Sequence, residues 1–188
     1  MARRIKRQFP FATLAIITAS VAAYAAELAG GGMVVCERFG FTPAHPTFAT
    51  ALSSLLVHDP DHVAHIAGNM LVLSVVGAVV EPVLGHLRFA LLYFASGVAG
   101  ALLHVAVDPQ SSVVLVGCSG SIAGIMAVLG VLRPRSLGLV AGFVLMNVYW
   151  AWTGTAGGVS FAAHLGGFTC GAAVLLLARA QGARWVIV

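Results

Sequence analysis

Residues 113–132 read VVLVGCSGSIAGIMAVLGVL, twenty residues without a charge. As an α-helix they would rise about 30 Å, the thickness of a bilayer's hydrocarbon core. The rest of the chain has the same character: of 188 residues, 60% are hydrophobic and 9% charged, and the mean hydropathy is +0.98. A soluble domain is about 45–50% apolar and about 25% charged. A soluble fold of this size has too little interior to hide so much apolar surface, so lipid must serve as solvent. The expected fold is an all-α membrane protein made of one domain over residues 1–188, with a short basic segment at 1–8.

Working outward, six apolar segments appear, at roughly 10–29, 63–80, 89–107, 113–132, 137–153 and 159–178. Turn and charge signals separate them: Gly30-Gly31-Gly32, Glu81-Pro82, Asp108-Pro109, Arg133-Pro134-Arg135 and Gly154 to Gly158. The stretch 30–62 is too long for a tight turn, and such connections are often functional. With the N-terminus inside, nine of the ten Lys/Arg residues fall on the cytoplasmic side and only Arg38 falls outside. The pI near 9.4 is therefore a topology signal, and no nucleic-acid partner is expected. The expected setting is a multi-pass protein of a bacterial plasma membrane with both termini cytoplasmic. Arg3 to Arg7, the first apolar run and Ala23-Tyr24-Ala25 also fit a cleavable leader. The run to Glu27 is long for one, and its removal would leave five helices and an external N-terminus.

Polar side chains inside lipid are costly and so point to function. His65 and Asn69 stand in the second segment, Ser119 in the fourth and His164 in the sixth. All lie early in segments that run from outside to inside, which places them at one depth near the outer face. A serine hydroxyl is a weak nucleophile until a base takes its proton, and a neutral imidazole can do so near neutral pH. Gly120 and Gly124, one turn apart, face a similar pair, Gly167 and Gly171, and small residues at this spacing let helices approach closely. Ser119 opens a helix, so its N–H is unspent, and Asn69 and His65 can donate to an oxyanion. No carboxylate lies in the sixth segment, so a dyad of Ser119 and His164 is expected, with no cofactor.

The pattern His65-x-x-x-Asn69, Gly117-x-Ser119-Gly120 and His164-x-x-Gly167-x-x-x-Gly171 across six helices resembles the rhomboid protease family. The stretch Gly77, Glu81, Gly85, Arg88-Phe89 resembles that family's second-to-third helix connection. The likeness covers about residues 50 to 175. It implies a six-transmembrane-helix rhomboid-like bundle that cleaves transmembrane protein substrates. It also implies Ser119 as nucleophile, His164 as base, and His65, Asn69 and the Ser119 amide, with Gly117, as the oxyanion set. His58 resembles a structural histidine common in the family. Two positions depart from the pattern: the loop lacks the frequent Trp-Arg pair around Phe48-Ala49-Thr50, and Ala123 stands where an aromatic ring often packs on the catalytic histidine.

Other readings compete. His58, His62 and His65 suggest a metal face, but Pro60 interrupts a continuous helix and no second ligand set exists. Cys118 is an alternative nucleophile, directed about 100 degrees away from Ser119 on a helix. Trp150 and Trp152 suit an interfacial belt. An inactive relative that binds membrane-protein clients would keep the fold. A six-helix transporter would need a continuous polar path. Hydrolysis requires water, so a polar cavity open to the outside is expected among the second, fourth, fifth and sixth spans.

Overall fold

In a computed structural model of the chain, residues 8–153 and 160–182 are described, the side chains of Trp150 and Ala151 excepted. The stretches 1–7, 154–159 and 183–188 lie outside the described residues, including the basic N-terminal run, the Gly154–Gly158 connection and Arg184. Eight α-helices follow in order: α1 (Phe11–Ala29), α2 (Met33–Phe39), α3 (Phe48–Ser53), α4 (Val63–Leu84), α5 (His86–Val107), α6 (Ser119–Leu132), α7 (Leu137–Thr153) and α8 (Phe161–Ala180). A 3-10 turn at Pro134–Ser136 joins α6 to α7. Four of them, α1, α4, α5 and α8, are long and apolar enough to cross a membrane. Their outward residues, such as Leu14, Val75, Leu91 and Leu176, are exposed as lipid-facing leucines and valines should be.

The deciding stretch of sequence does not form one twenty-residue helix. Residues 113–118 are not helical, and Leu115 pairs with Phe41 in an antiparallel bridge. The helix begins only at Ser119 and runs for 14 residues, about 21 Å. Gly117 explains the break. Its φ of 98° lies in a region that side chains disfavour, and a helix cannot run through it. Twelve of the fourteen residues of α6 are buried, as expected for a helix apolar on all sides. Ile122, Ile125, Met126 and Leu129 pack with Leu73, Val76 and Val80 of α4 and with Phe89, Leu92 and Tyr93 of α5. The central helix is thus surrounded by protein while its neighbours face lipid.

The seam between α6 and α8 is closer than side chains allow. A Cβ on Gly167 would collide with the backbone of Gly120, and one on Gly171 with the backbone of Gly124. The glycine pairs read from the sequence are therefore in direct backbone contact.

Helix α1 turns one polar stripe inside. Thr13, Ser20 and Glu27, at intervals of seven, are buried with Ile16, whereas Leu14, Val21 and Leu28 are exposed. At one end, the carboxylate of Glu81 from α4 accepts from the N–H of Ala12 at 2.8 Å and of Thr13 at 2.7 Å, and from the Thr13 hydroxyl at 2.6 Å. It caps a helix whose own N-cap, Pro10, makes no side-chain bond. Pro82, read as a break after residue 80, instead sits inside α4 near its end, so that Glu81 stays helical. At the other end Glu27 accepts from the N–H of His58 at 3.2–3.3 Å.

The long connection 30–62 is folded against the bundle. It holds α2 and α3, the Ser53 hydroxyl donates to the Phe39 carbonyl at 2.6 Å, and the Ser54 carbonyl accepts from the N–H of Gly117 at 2.9 Å. This loop therefore holds the strand-like entry into α6.

Candidate active site

Ser119 occupies the first position of α6, where backbone N–H groups have no helical acceptor. It is half-buried, so its hydroxyl is reachable. The glycine seam brings α8 alongside, and His164, 6% exposed, places Nε2 at 2.7 Å from Ser119 Oγ. Two residues forty-five apart in sequence thus make the contact that their shared depth suggested.

His65 and Asn69 lie one turn apart on α4 and converge on Gly117. A Cβ at Gly117 would stand 2.7 Å from His65 Nε2 and 3.3 Å from Asn69 Nδ2. Both the positive φ and the crowding therefore require glycine there. The N–H of Gly117 is spent on Ser54, so this residue offers His65 and Asn69 space and no further donor. Asn69 is 8% exposed, and its Nδ2 has no hydrogen-bond partner among the described residues. A buried amide donor without an acceptor costs about 1–3 kcal/mol, so Nδ2 is open to an acceptor beside Gly117.

Of the three histidines between 58 and 65, His58 and His62 lie in the connection and His65 in the first turn of α4. His62 Nδ1 pairs with Asp59 at 2.8 Å in an exposed position. His58 is fully buried and donates from Nδ1 to the Leu56 carbonyl at 3.1 Å. Burial, and secondarily the nearby His65, push its pKa down to about 4, so it is neutral. Its ring meets that of His65 edge-on at 5.3 Å, which supports one face of that imidazole. Cys118 is wholly buried, with Sγ 3.9 Å from His58 Nε2.

The sequence reading passed over α7. Asn147 is 4% exposed, and its Oδ1 is hydrogen-bonded to His164 Nδ1. Its Nδ2 donates to the Phe143 carbonyl at 2.7 Å, and the Phe143 ring lies 5.8 Å from the His164 ring. Ala123 is fully buried and offers no ring to His164 from α6. A usable signal existed: an amide in an apolar run, about as far before the Gly154–Gly158 connection as His164 lies after it. His104, given no role from sequence, bonds Ser160 Oγ at 2.9 Å, and Ser160 in turn caps α8.

A cavity of roughly 190 Å³ opens beside His164 between α7 and α8, walled by Phe143, Val144, Phe161 and Phe168. Asn147 and His164 also line it, and its exposed wall is apolar. Trp152 is strongly exposed, as a belt residue would be, while the side chain of Trp150 lies outside the described set.

A serine Oγ within hydrogen-bond reach of an imidazole, at a helix start between packed membrane helices, matches a known pattern. A rhomboid domain family model matches residues 45–181. The chain belongs to the rhomboid family. Its relatives include Rhomboid-related protein 2 of Mus musculus, 32% identical over 142 residues, which cover 65% of this chain and 45% of the mouse protein. Rhomboid-type serine protease 2 of Emericella nidulans is 34% identical over 127 residues, covering 58% of this chain and 23% of the fungal protein. RHOMBOID-like protein 5 of Arabidopsis thaliana is 29% identical over 115 residues, covering 57% and 37%. The chain thus spans less than half the length of these curated relatives. All three are eukaryotic, which lends no support to the bacterial setting expected from the sequence. Apolar helices and family together make this rhomboid an integral membrane protein.

Proposed function

We propose that this rhomboid domain is an intramembrane serine endopeptidase that cleaves the transmembrane segments of other membrane proteins. The observation that carries the reading is the 2.7 Å contact between His164 Nε2 and Ser119 Oγ. In the proposed reaction Ser119 Oγ attacks the scissile carbonyl carbon as its proton passes to His164 Nε2. The resulting oxyanion is received by the Ser119 N–H, Asn69 Nδ2 and His65 Nε2. Collapse breaks the C–N bond, and the amine leaves with the proton from His164. Water, deprotonated by His164, then hydrolyses the acyl-enzyme.

The proposed topology has six membrane crossings, with α6 and α7 added to the four longer helices and the whole of 1–188 forming one domain. Nine of ten Lys/Arg residues support cytoplasmic termini. A helix of about 21 Å that starts at the serine supports a site below the outer surface. An intact substrate helix hides its carbonyls, so helix-weakening residues near the outer end of the substrate favour the cut.

The test is cleavage of a model transmembrane substrate in proteoliposomes. Ser119→Ala and His164→Ala are each expected to abolish it while folding is retained. Full turnover in either variant sinks the assignment. An inert wild type that still binds the substrate would favour the client-binding reading.

A further inference from the structure

We infer that Asn147 is the positioning residue for His164, fixing its tautomer so that Nε2 is the atom that takes the Ser119 proton. The inference deepens the proposed protease reading and rests on it for its kinetic arm. The argument is a chain of hydrogen-bond polarity that starts at a group with no choice. The Phe143 carbonyl can only accept. The end of the Asn147 amide that meets it at 2.7 Å must therefore be the NH₂, because the reverse orientation would set two oxygens against each other. That leaves Oδ1 toward His164, and an amide oxygen can only accept. Nδ1 of His164 must then carry the proton. A neutral imidazole has one N–H, so Nε2 is bare and accepts from Ser119 Oγ–H at 2.7 Å. Carbonyl, amide, imidazole and hydroxyl thus point one way, ending at the nucleophile.

Burial gives the arrangement its strength. Asn147 is 4% exposed and His164 6%, so neither bond competes with bulk water. Along α7, Val140 and Asn147 alone are buried among the described side chains, and the exposed residues on either side, Met146 and Val148, face outward. An amide is not needed to fill space in a membrane helix, where leucine would serve at less cost. Phe143, one turn earlier, supplies both the fixing carbonyl and a ring against His164. Helix α7 therefore supplies the orientation that α6, with Ala123, does not.

The experiment compares Asn147→Leu and Asn147→Asp with wild type for kcat, KM and thermal stability in detergent. It also records ¹⁵N chemical shifts of the His164 ring, assigned by their loss in His164→Gln. The expected result is a fall in kcat of about 10²-fold for Asn147→Leu at unchanged KM and melting temperature. Asn147→Asp, which keeps an acceptor, should stay within roughly tenfold of wild type. The wild-type ring should show a protonated Nδ1 and a bare Nε2. Full kcat in Asn147→Leu, equal losses in both variants, or a protonated Nε2 overturns the inference. If Asn147→Leu does not fold, the tautomer of the wild type decides alone. If wild type cuts nothing, the protease reading fails, while the tautomer still tests this one.

Discussion

Helix α8 meets α6 and α7 in opposite ways. Against α6 it packs backbone to backbone, with Gly167 and Gly171 set on Gly120 and Gly124. Against α7 it leaves a cavity walled by phenylalanines, and α7 itself exposes most of its side chains. The difference teaches how a membrane protein can hold two atoms at 2.7 Å without a soluble core. The seam with α6 fixes distance, because glycine backbones cannot move closer and any added atom moves them apart. The looser contact with α7 leaves orientation to one polar link, Asn147.

The largest expected effect comes from breaking the seam. Gly167→Val places a branched side chain where the Gly120 backbone already lies. It should abolish cleavage and lower stability by about 3 kcal/mol or more. A detergent melting curve and a substrate gel check both, and a fully active, stable variant would mean that the helices are not in backbone contact. Next in size is Asn69→Ala, which leaves the seam intact and removes the unpartnered buried donor. Turnover should fall about 10²-fold or more with little loss of stability. Unchanged kcat with a lowered melting temperature would show Asn69 to be interhelical glue.

A third change leaves α6, α7 and α8 untouched. Glu81→Ala strips the acceptor from Ala12, Thr13 and His86, the last at 2.5 Å. It should cost about 1–3 kcal/mol in unfolding experiments while the Ser119–His164 contact persists. Loss of activity at full stability would show that α1 shapes the site. The smallest effect belongs to the outer face of α7. Leu145→Ala, 67% exposed, should stay within about 0.5 kcal/mol of wild type at unaltered kcat.

What the sequence disclosed follows the same division. Ser119, His164, His65 and Asn69 are polar residues in apolar runs at one depth, so the cost of placing them in lipid marks them. The glycine seam is legible because helical spacing is a local property. Asn147 has the same polarity, but it precedes Tyr149, Trp150 and Trp152 and reads as part of a helix end. Its importance depends on which way an amide points, which only packing decides. The helix start at Ser119 was legible, but the extended path of 113–116 was not, because that stretch is as apolar as a helix while the backbone of Gly117, at a φ of 98°, keeps it out of one. Helix α1 shows a similar limit. Apolarity marks it as a span, but which stripe is buried depends on Glu81 and His58 from elsewhere in the chain.

The central claim is that Ser119 Oγ is the nucleophile and His164 its base. Its most direct test is treatment of the membrane-embedded protein with a fluorophosphonate, followed by peptide mass spectrometry of the segment from 113 to 132. The account predicts one adduct, on Ser119, absent in Ser119→Ala and strongly slowed in His164→Ala. An adduct on Ser121, or labelling of Ser119 that is indifferent to His164, would contradict it.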